Sequence, residues 1–324
     1  MATSGTVSTT TFNTLKVIDQ AFRRCRLPAQ AITAEMHDYA KDALYLMLSE
    51  MANYRTPSWC IARAVLPLVT SVSTVPLPQG AVSVLNANYR TTSEIEAAFF
   101  SEDLQEYIIT LDSAVPYIVR IGFSTVPTTV TFQVSDDNAT WATVGTASDL
   151  TTAVQWIDLT TPTVGSFFRI ISDDVFEINE LSVHNSPTEI PLGSVNRDTF
   201  TSFPDKTFTG RPVNYWFQRD IPPKLNIWPS PNSSSSANSQ LVVWYHRHIM
   251  DVGTLQQELE IPQRWMEAIV AGLAQRLAEQ TPQVDLQLIP MLSQRAAVSL
   301  NMAWDGDNDG SSTFYQPYIA AYTR

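Results

Sequence analysis

Between Arg90 and Pro187 the sequence carries 14 acidic residues against three arginines and no lysine, a balance of −11. The net charge of all 324 residues is −12, so everything outside that stretch sums to −1. So abrupt a shift marks a seam, and the chain is long for one core of roughly 100 to 200 residues. Inside the stretch lie the strand-like runs YIITL, YIVRIGF, TVTFQV, WATVG, VQWIDL, FFRII and INELSVH, divided by turn residues such as SDDNAT. Their length and alternation describe a β-sandwich or jelly roll over 91–186, with no helical segment interrupting it.

Helical spacing governs both flanks. Phe12, Leu15, Ile18, Phe22 and Cys25 recur at helical spacing and end in Arg23, Arg24 and Arg26, charges suited to a helix C-terminus. Thr33 is the expected N-cap of a second helix carrying Met36, Ala40, Leu44, Met47, Leu48 and Met51. Pro57 suits the first turn of a short third helix with Trp59, Ile61 and Val65, after which LPLVTSVSTVPLPQGAVSVLNANYR reads as extended. Beyond Pro187, PKLNIWP and QLVVWYHRHI read as strands joined by the low-complexity SPNSSSSANS, expected as a flexible surface loop. Pro262 then opens a helix with Trp265, Ile269, Leu273 and Leu277 on one stripe; Thr281 and Pro282 open another through Val284, Leu288, Leu292 and Leu300.

Neither helical end buries much alone, so the two are expected to pack together. The expected class is α+β: a helical bundle body built from N- and C-terminal helices with a few strands, interrupted by the sandwich. The parts are 1–90 and 187–303 for the body, 91–186 for the insert and 304–324 for a final segment.

A composition of 44% hydrophobic and 16% charged residues excludes general disorder. No apolar run reaches the roughly 18 residues of a membrane helix, and MATSGTVSTTTF lacks the parts of a signal peptide, so a cytosolic protein without a membrane partner is expected. Cys25 and Cys60, without CxxC spacing, read as buried thiols. GxxxxGK[ST], GxGxxG, HExxH and GxSxG are all absent from the sequence. His246 and His248 would share a face of a strand, but a metal needs further ligands that the sequence does not place. Asp305, Asp307 and Asp309 with Gly310 match half a calcium loop, yet position twelve is Gln316; a solvated turn is the better reading. The acids offer only arbitrary glycosidase-type pairs. Net acidity opposes gripping a nucleic-acid backbone, though not lining a DNA passage. No enzyme, cofactor or metal is expected.

Two resemblances divide at the seam. TLKVIDQAFRRCRLPAQAITAEMHDYAKDALYLMLSEMANY, VPLPQGAVSVLNANYR, NRDTFTSFPDKTFTGRPVNYWFQRDIPPKLNIWPSP and IPQRWMEAIVAGLAQRLAEQTP together resemble the head-to-tail adaptor (tail accessory factor) family of short-tailed bacteriophages. The insert, through TVTFQVSDDNATWATVG and FFRIISDDVFEINELSVH, resembles a galactose-binding-like, discoidin-type sandwich. The first resemblance implies a structural virion protein of the phage neck, assembled in host cytoplasm. It would form a dodecameric ring between portal protein and tail nozzle protein, closing the capsid after packaging, with DNA only passing through the lumen. The second implies possible glycan or tail-fibre contact through 91–186. Trp59, Trp216, Phe217, Trp228, Trp244 and Tyr245 are candidate interface anchors. Phe314, Tyr315, Tyr318, Tyr322 and Arg324 are the candidate partner-docking residues, since an aromatic segment must pack on something. The acidic insert is expected to project outward from a ring.

Overall fold

The structure is a computed structural model and describes residues 12–54, 56–98, 104–236 and 238–307. From the N-terminus come helices α1 (Thr14–Arg24) and α2 (Ala34–Tyr54), then strands β1 (Ile61–Pro67), β2 (Thr74–Pro76) and β3 (Ala81–Thr91). Next are β4 (Glu94–Ala98), β5 (Leu104–Ala114), β6 (Ile118–Thr125), β7 (Val130–Ser135), β8 (Ala142–Ala147), β9 (Gln155–Asp158) and β10 (Gly165–His184). After these, β11 (Thr188–Pro191) and β12 (Gly193–Ser194) precede helix α3 (Arg197–Ser202), β13 (Asn214–Gln218) and β14 (Lys224–Trp228). Helix α4 (Ser233–Ser236), β15 (Ser239–Arg247), α5 (Gln263–Gln280) and α6 (Ile289–Asp305) complete the order.

The chain divides into two compact units, 1–61 with 247–324, and 62–246. The seams at 90/91 and 186/187 fall inside the second, at the end of β3 and between β10 and β11.

In the first unit, α1, α2, α5 and α6 share one core that includes Ile18, Phe22, Leu44, Ile269, Leu273 and Trp304. Asn13 caps α1 by accepting the Lys16 N–H at 3.0 Å, and Arg23 and Arg24 occupy its last turn. Trp265 is fully buried, edge-on to Trp59 (4.8 Å) and Trp304 (4.6 Å). Burial raises the Cys25 and Cys60 thiols to about 11, and the Cys25 thiol donates to the Ala274 carbonyl. Asp307 is not a solvated turn residue. Its carboxylate accepts the Ser58 N–H and Oγ–H, both at 2.7 Å, and pairs with Arg264.

The second unit holds all three sheets. Two four-stranded sheets, ordered β1-β15-β3-β11 and β12-β13-β14-β2, enclose Val75, Tyr89, Tyr215, Ile227, Leu241 and Tyr245. The third assembly is the sandwich. The 20-residue β10 serves both of its layers: Phe167–Ile171 pairs with β5 and β7, and Glu177–His184 pairs with β6, with Leu181–His184 also on β4. Phe123, Phe132, Phe168, Phe176, Ile170 and Ile178 fill the space between. Alternation places these inward because β-strand side chains point to opposite faces.

The chain is therefore mixed α/β, and outside 91–186 it is not a helical bundle with a few strands: among the described residues eight of the fifteen strands lie there. The short third helix expected through Val65 does not form: Ile61–Pro67 joins a sheet as β1, with Ala62, Ala64 and Leu66 turned to the core, and only Ser58–Cys60 forms a helical turn. SPNSSSSANS is not merely a flexible loop. It contains α4, and Ser235 is buried with its hydroxyl on the Gly210 carbonyl. The 281–288 segment winds up only at Leu286, and α6 starts at Ile289. Among the described residues no helix is long and apolar enough to cross a membrane.

Candidate functional site

Strand β9 lies at one edge of the sandwich and pairs antiparallel with β6, setting Trp156 opposite Arg120 and Ile157 opposite Val119. On the other side of β6, Arg120 faces Ser182 of β10. Val119 and Val183 point into the core, so Ser182, Arg120 and Trp156 form one row on the outer face, with His184 two residues along.

Arg120 and Trp156 of this row border a cleft of about 330 Å³. Arg120, Val154 and Trp156 form one wall; Leu68, Thr70, Ser236 and Ser239 contribute to the other. The Arg120 guanidinium lies 5.7 Å from the Trp156 ring centre and is held by Glu180. The His184 ring packs on Trp156 at 4.9 Å. Across the cleft the Thr70 and Ser236 hydroxyls share a hydrogen bond of 2.7 Å, and Ser239 Oγ meets the Tyr89 hydroxyl at 2.7 Å.

His184 supports the site from beneath. It is fully buried, with Nδ1 3.1 Å from Thr92 Oγ1 and Nε2 2.9 Å from Ser182 Oγ. Burial, and then the positive charge of Arg120, lower its pKa to about 4, so the imidazole is neutral at pH 7. Both ring nitrogens are occupied, which suits positioning and not proton transfer. The nearby carboxylates are tied up in ion pairs: Glu180 with Arg120, and Asp158 with Arg63 (3.1 Å) and nearly buried Arg90 (2.8 Å). The cleft thus offers an aromatic ring, a guanidinium and hydroxyls in fixed positions. Chemically that set can supply a flat apolar surface together with hydrogen-bond donors and acceptors.

A second aromatic, Trp141, belongs to the outer face of the opposite layer. The Asp137 turn presents it: that carboxylate accepts from Ala139 N, Thr140 N and the Ser135 hydroxyl, bonds that hold it far below the ordinary carboxylate range. The Arg169 guanidinium covers the Trp141 ring at 4.1 Å and is anchored by Glu106 at 2.7 Å and Gln133. Trp141 is therefore already capped on one face.

The other sequence candidates separate. Phe314, Tyr315, Tyr318, Tyr322 and Arg324 lie outside the described residues. Of the expected interface anchors, Tyr245 is buried core, Trp59 packs on Trp265, and Trp216 and Trp228 pack against Phe200 and Phe203. Trp244 stays exposed. His246 Nδ1 meets Ser83 Oγ at 3.0 Å, and His248 lies beyond the end of β15. Asp307 of the half calcium loop is bound by Ser58 and Arg264, as described above. The sequence reading missed Arg120 and Trp156. Their signal was present: Arg120 is the charged residue at an outward position of the otherwise apolar YIVRIGF, and Trp156 is the aromatic residue of the short run VQWIDL.

No protein-family profile matches the sequence, and no curated relative matches it. Among solved structures it is similar to a putative α-L-fucosidase from Bacteroides thetaiotaomicron (11% identity, 29% of this chain and 22% of that one, TM-score 0.26). It is also similar to CpGH89CBM32-5 from Clostridium perfringens in complex with GalNAc-β-1,3-galactose (14%, 40% and 97%, 0.23). A third is the CBM32 of AlyQ in complex with 4,5-unsaturated mannuronic acid (17%, 32% and 99%, 0.21). The chain spans about a fifth of the fucosidase and 64% of a chitobiase C-terminal domain from Bacteroides fragilis. At these TM-scores the strand pairing of the chain itself, and not the likeness, establishes the sandwich. The adaptor resemblance draws no support from these comparisons.

Proposed function

We propose that the sandwich is a carbohydrate-binding module of a non-enzymatic protein and that a glycan ring occupies the Trp156 cleft. The observation that carries this reading is Arg120 and Trp156 set against Thr70, Ser236 and Ser239 across one cleft. The test is a glycan array probed with the full chain and with Trp156→Ala, followed by titration of any hit. A saturable hit weakened at least tenfold by Trp156→Ala, with circular dichroism unchanged, is expected. A silent array, or equal binding by the variant, overturns the reading.

A second reading concerns the helical unit: a head-to-tail adaptor, docking on portal protein, meeting the tail nozzle protein and assembling as a ring in the virion neck. Met291, Val298 and Met302, each more than half exposed, lie at i, i+7 and i+11 on α6 and support an assembly surface. The expected result is a monomer when pure that co-sediments with isolated portal as a ring. Failure to co-sediment removes the reading, and a stable ring without partner removes portal-driven assembly.

A further inference from the structure

The chain enters the sandwich through Thr92 and Ser93 and leaves it through His184 and Asn185, and the two crossings lie side by side. Ser93 N donates to Asn185 Oδ1 and Asn185 N donates to the Ser93 carbonyl, both at 3.0 Å. Thr92 N reaches the Asn238 carbonyl at 3.0 Å, just before β15 of the neighbouring sheet. His184 sits at this joint with none of its surface exposed.

The polar partners of its ring are two hydroxyls. Thr92 Oγ1 donates to the Asn238 carbonyl at 3.3 Å, so it accepts from Nδ1–H, which leaves Nε2 to accept from the Ser182 hydroxyl. A proton added at Nε2 reverses that bond. Ser182 Oγ becomes the acceptor, and its own hydrogen must turn away from the ring in a residue only 3% exposed. The surrounding charges do not compensate. On β6, Arg120 lies over the Trp156 ring that packs on His184, and Glu180 of β10 is spent on Arg120. On β9, Asp158 is held by Arg63 of β1 and Arg90 of β3. On β4, Glu94 and Glu96 are exposed, and among the described residues no carboxylate bonds the imidazole. Burial, and then Arg120, hold the ring at a pKa of about 4, whereas an imidazole released into water titrates near 6.5.

We propose that His184 is an acid-sensitive latch at this joint: a proton on the imidazole lets the two crossings part while both layers of the sandwich stay folded. One wall of the Trp156 cleft comes from the sandwich and the other from Leu68, Thr70, Ser236 and Ser239, so parting the crossings also opens the cleft. The latch depends on neither reading above. The closed joint holds its full advantage above about pH 6.5 and loses it as pH falls toward about 4. Between pH 7 and 5 the open fraction should rise about 20-fold.

The test is amide hydrogen exchange of the full chain at pH 7 and 5, corrected for the intrinsic rate, in wild type and His184→Gln. Thr92, Ser93 and Asn185 report the joint, and the amides of β7 report the sandwich as a whole. In wild type, protection at the joint should fall about 20-fold from pH 7 to 5 and stay at least tenfold below that of β7 at both. In His184→Gln the fall should shrink to less than threefold. Equal protection at the joint and in β7 overturns the proposal, because His184 would then act only on unfolding of the whole module. An equal fall in the variant overturns it in favour of the nearby carboxylates. Nitrogen-15 NMR of the wild-type imidazoles needs no variant: His184 should still show a neutral ring at pH 5, and titration near 6.5 also overturns the latch.

Discussion

Asp307→Ala should loosen the helical unit by an amount that depends on pH. The Asp307 side chain is 2% exposed and accepts two hydrogen bonds of 2.7 Å from Ser58. Hydrogen bonds to a charged group are worth about 1.5–3 kcal/mol each. Arg264 is half-exposed, so its ion pair adds about 0–1 kcal/mol. Water reaching Ser58 in the alanine variant restores part of the loss, leaving an expected cost of about 2–4 kcal/mol. That corresponds to about 30- to 900-fold faster exchange of the α5 and α6 amides that open with the unit. For the carboxyl itself, burial acts to raise the pKa, but the Ser58 bonds and Arg264 outweigh it and hold it below the ordinary value. A depressed carboxyl stabilises the fold above its unfolded pKa, near 3.9, and the contribution is lost as pH falls through the folded pKa. The gap between wild type and variant should be full at pH 7 and shrink below about pH 4. Hydrogen exchange at pH 7 and 3.5, with exposed Asp42→Ala as control, measures it. A gap under about 0.5 kcal/mol at pH 7, or one that widens at pH 3.5, refutes the reasoning.

Three other perturbations have definite expected outcomes. Unfolded His184 protonates near 6.5 but the folded residue only near 4, so stability should fall by about 3 kcal/mol as pH drops between those values; His184→Gln should flatten that slope in urea titrations. Asp158→Ala leaves Arg90, which is 5% exposed, with only Glu189 at 3.9 Å and Gln240 at 3.4 Å, and should cost about 1–3 kcal/mol by chemical denaturation, whereas Arg90→Met should cost clearly less. Trp265→Ala empties the centre of the helical core and should cost about 3–5 kcal/mol, visible as early loss of protection in α5.

The strands of the sandwich were legible because their inward residues, such as Phe132 and Phe168, alternate with outward ones like Gln133 and Arg169. Strand β4 was not: EIEAA has one β-branched residue and forms only because β10 offers it an edge. FFRII and INELSVH read as two strands because SDDV interrupts them, yet the backbone continues extended through Asp173 and Asp174 as one element. The helical stripes of α1 and α5 were plain, whereas ARAVLP was too short for its period to decide. The cleft was hidden for a different reason. Leu68, Thr70 and Ser236 are distant in sequence from Arg120 and Trp156, and only the sheet pairings bring them together.

The same pairings make the cleft a by-product of core register, which gives a last prediction. Along β10, Ile171 pairs with Glu106 and Phe176 with Leu104, so five steps on one strand meet two on the other; the surplus bulges at exposed Asp173, Asp174 and Val175. A bulge absorbs length without changing the face of the residues on either side. An alanine inserted after Asp173 should therefore leave the Ser182–Arg120–Trp156 row in phase, cost about 1–2 kcal/mol and preserve any glycan binding found for the wild type. After Leu181 the pairing with β6 has no such slack: Leu181, Ser182, Val183 and His184 pair one by one with Ile121, Arg120, Val119 and Ile118. An alanine there slips the pairing by one and drives either Ser182 into the core and Val183 out of it, or Leu181 out of the core and Glu180 into it. The sandwich should then lose its near-ultraviolet circular dichroism and its glycan binding together. If both insertions are tolerated alike, the cleft is not fixed by the register of β10 and the account of how the sequence builds it fails.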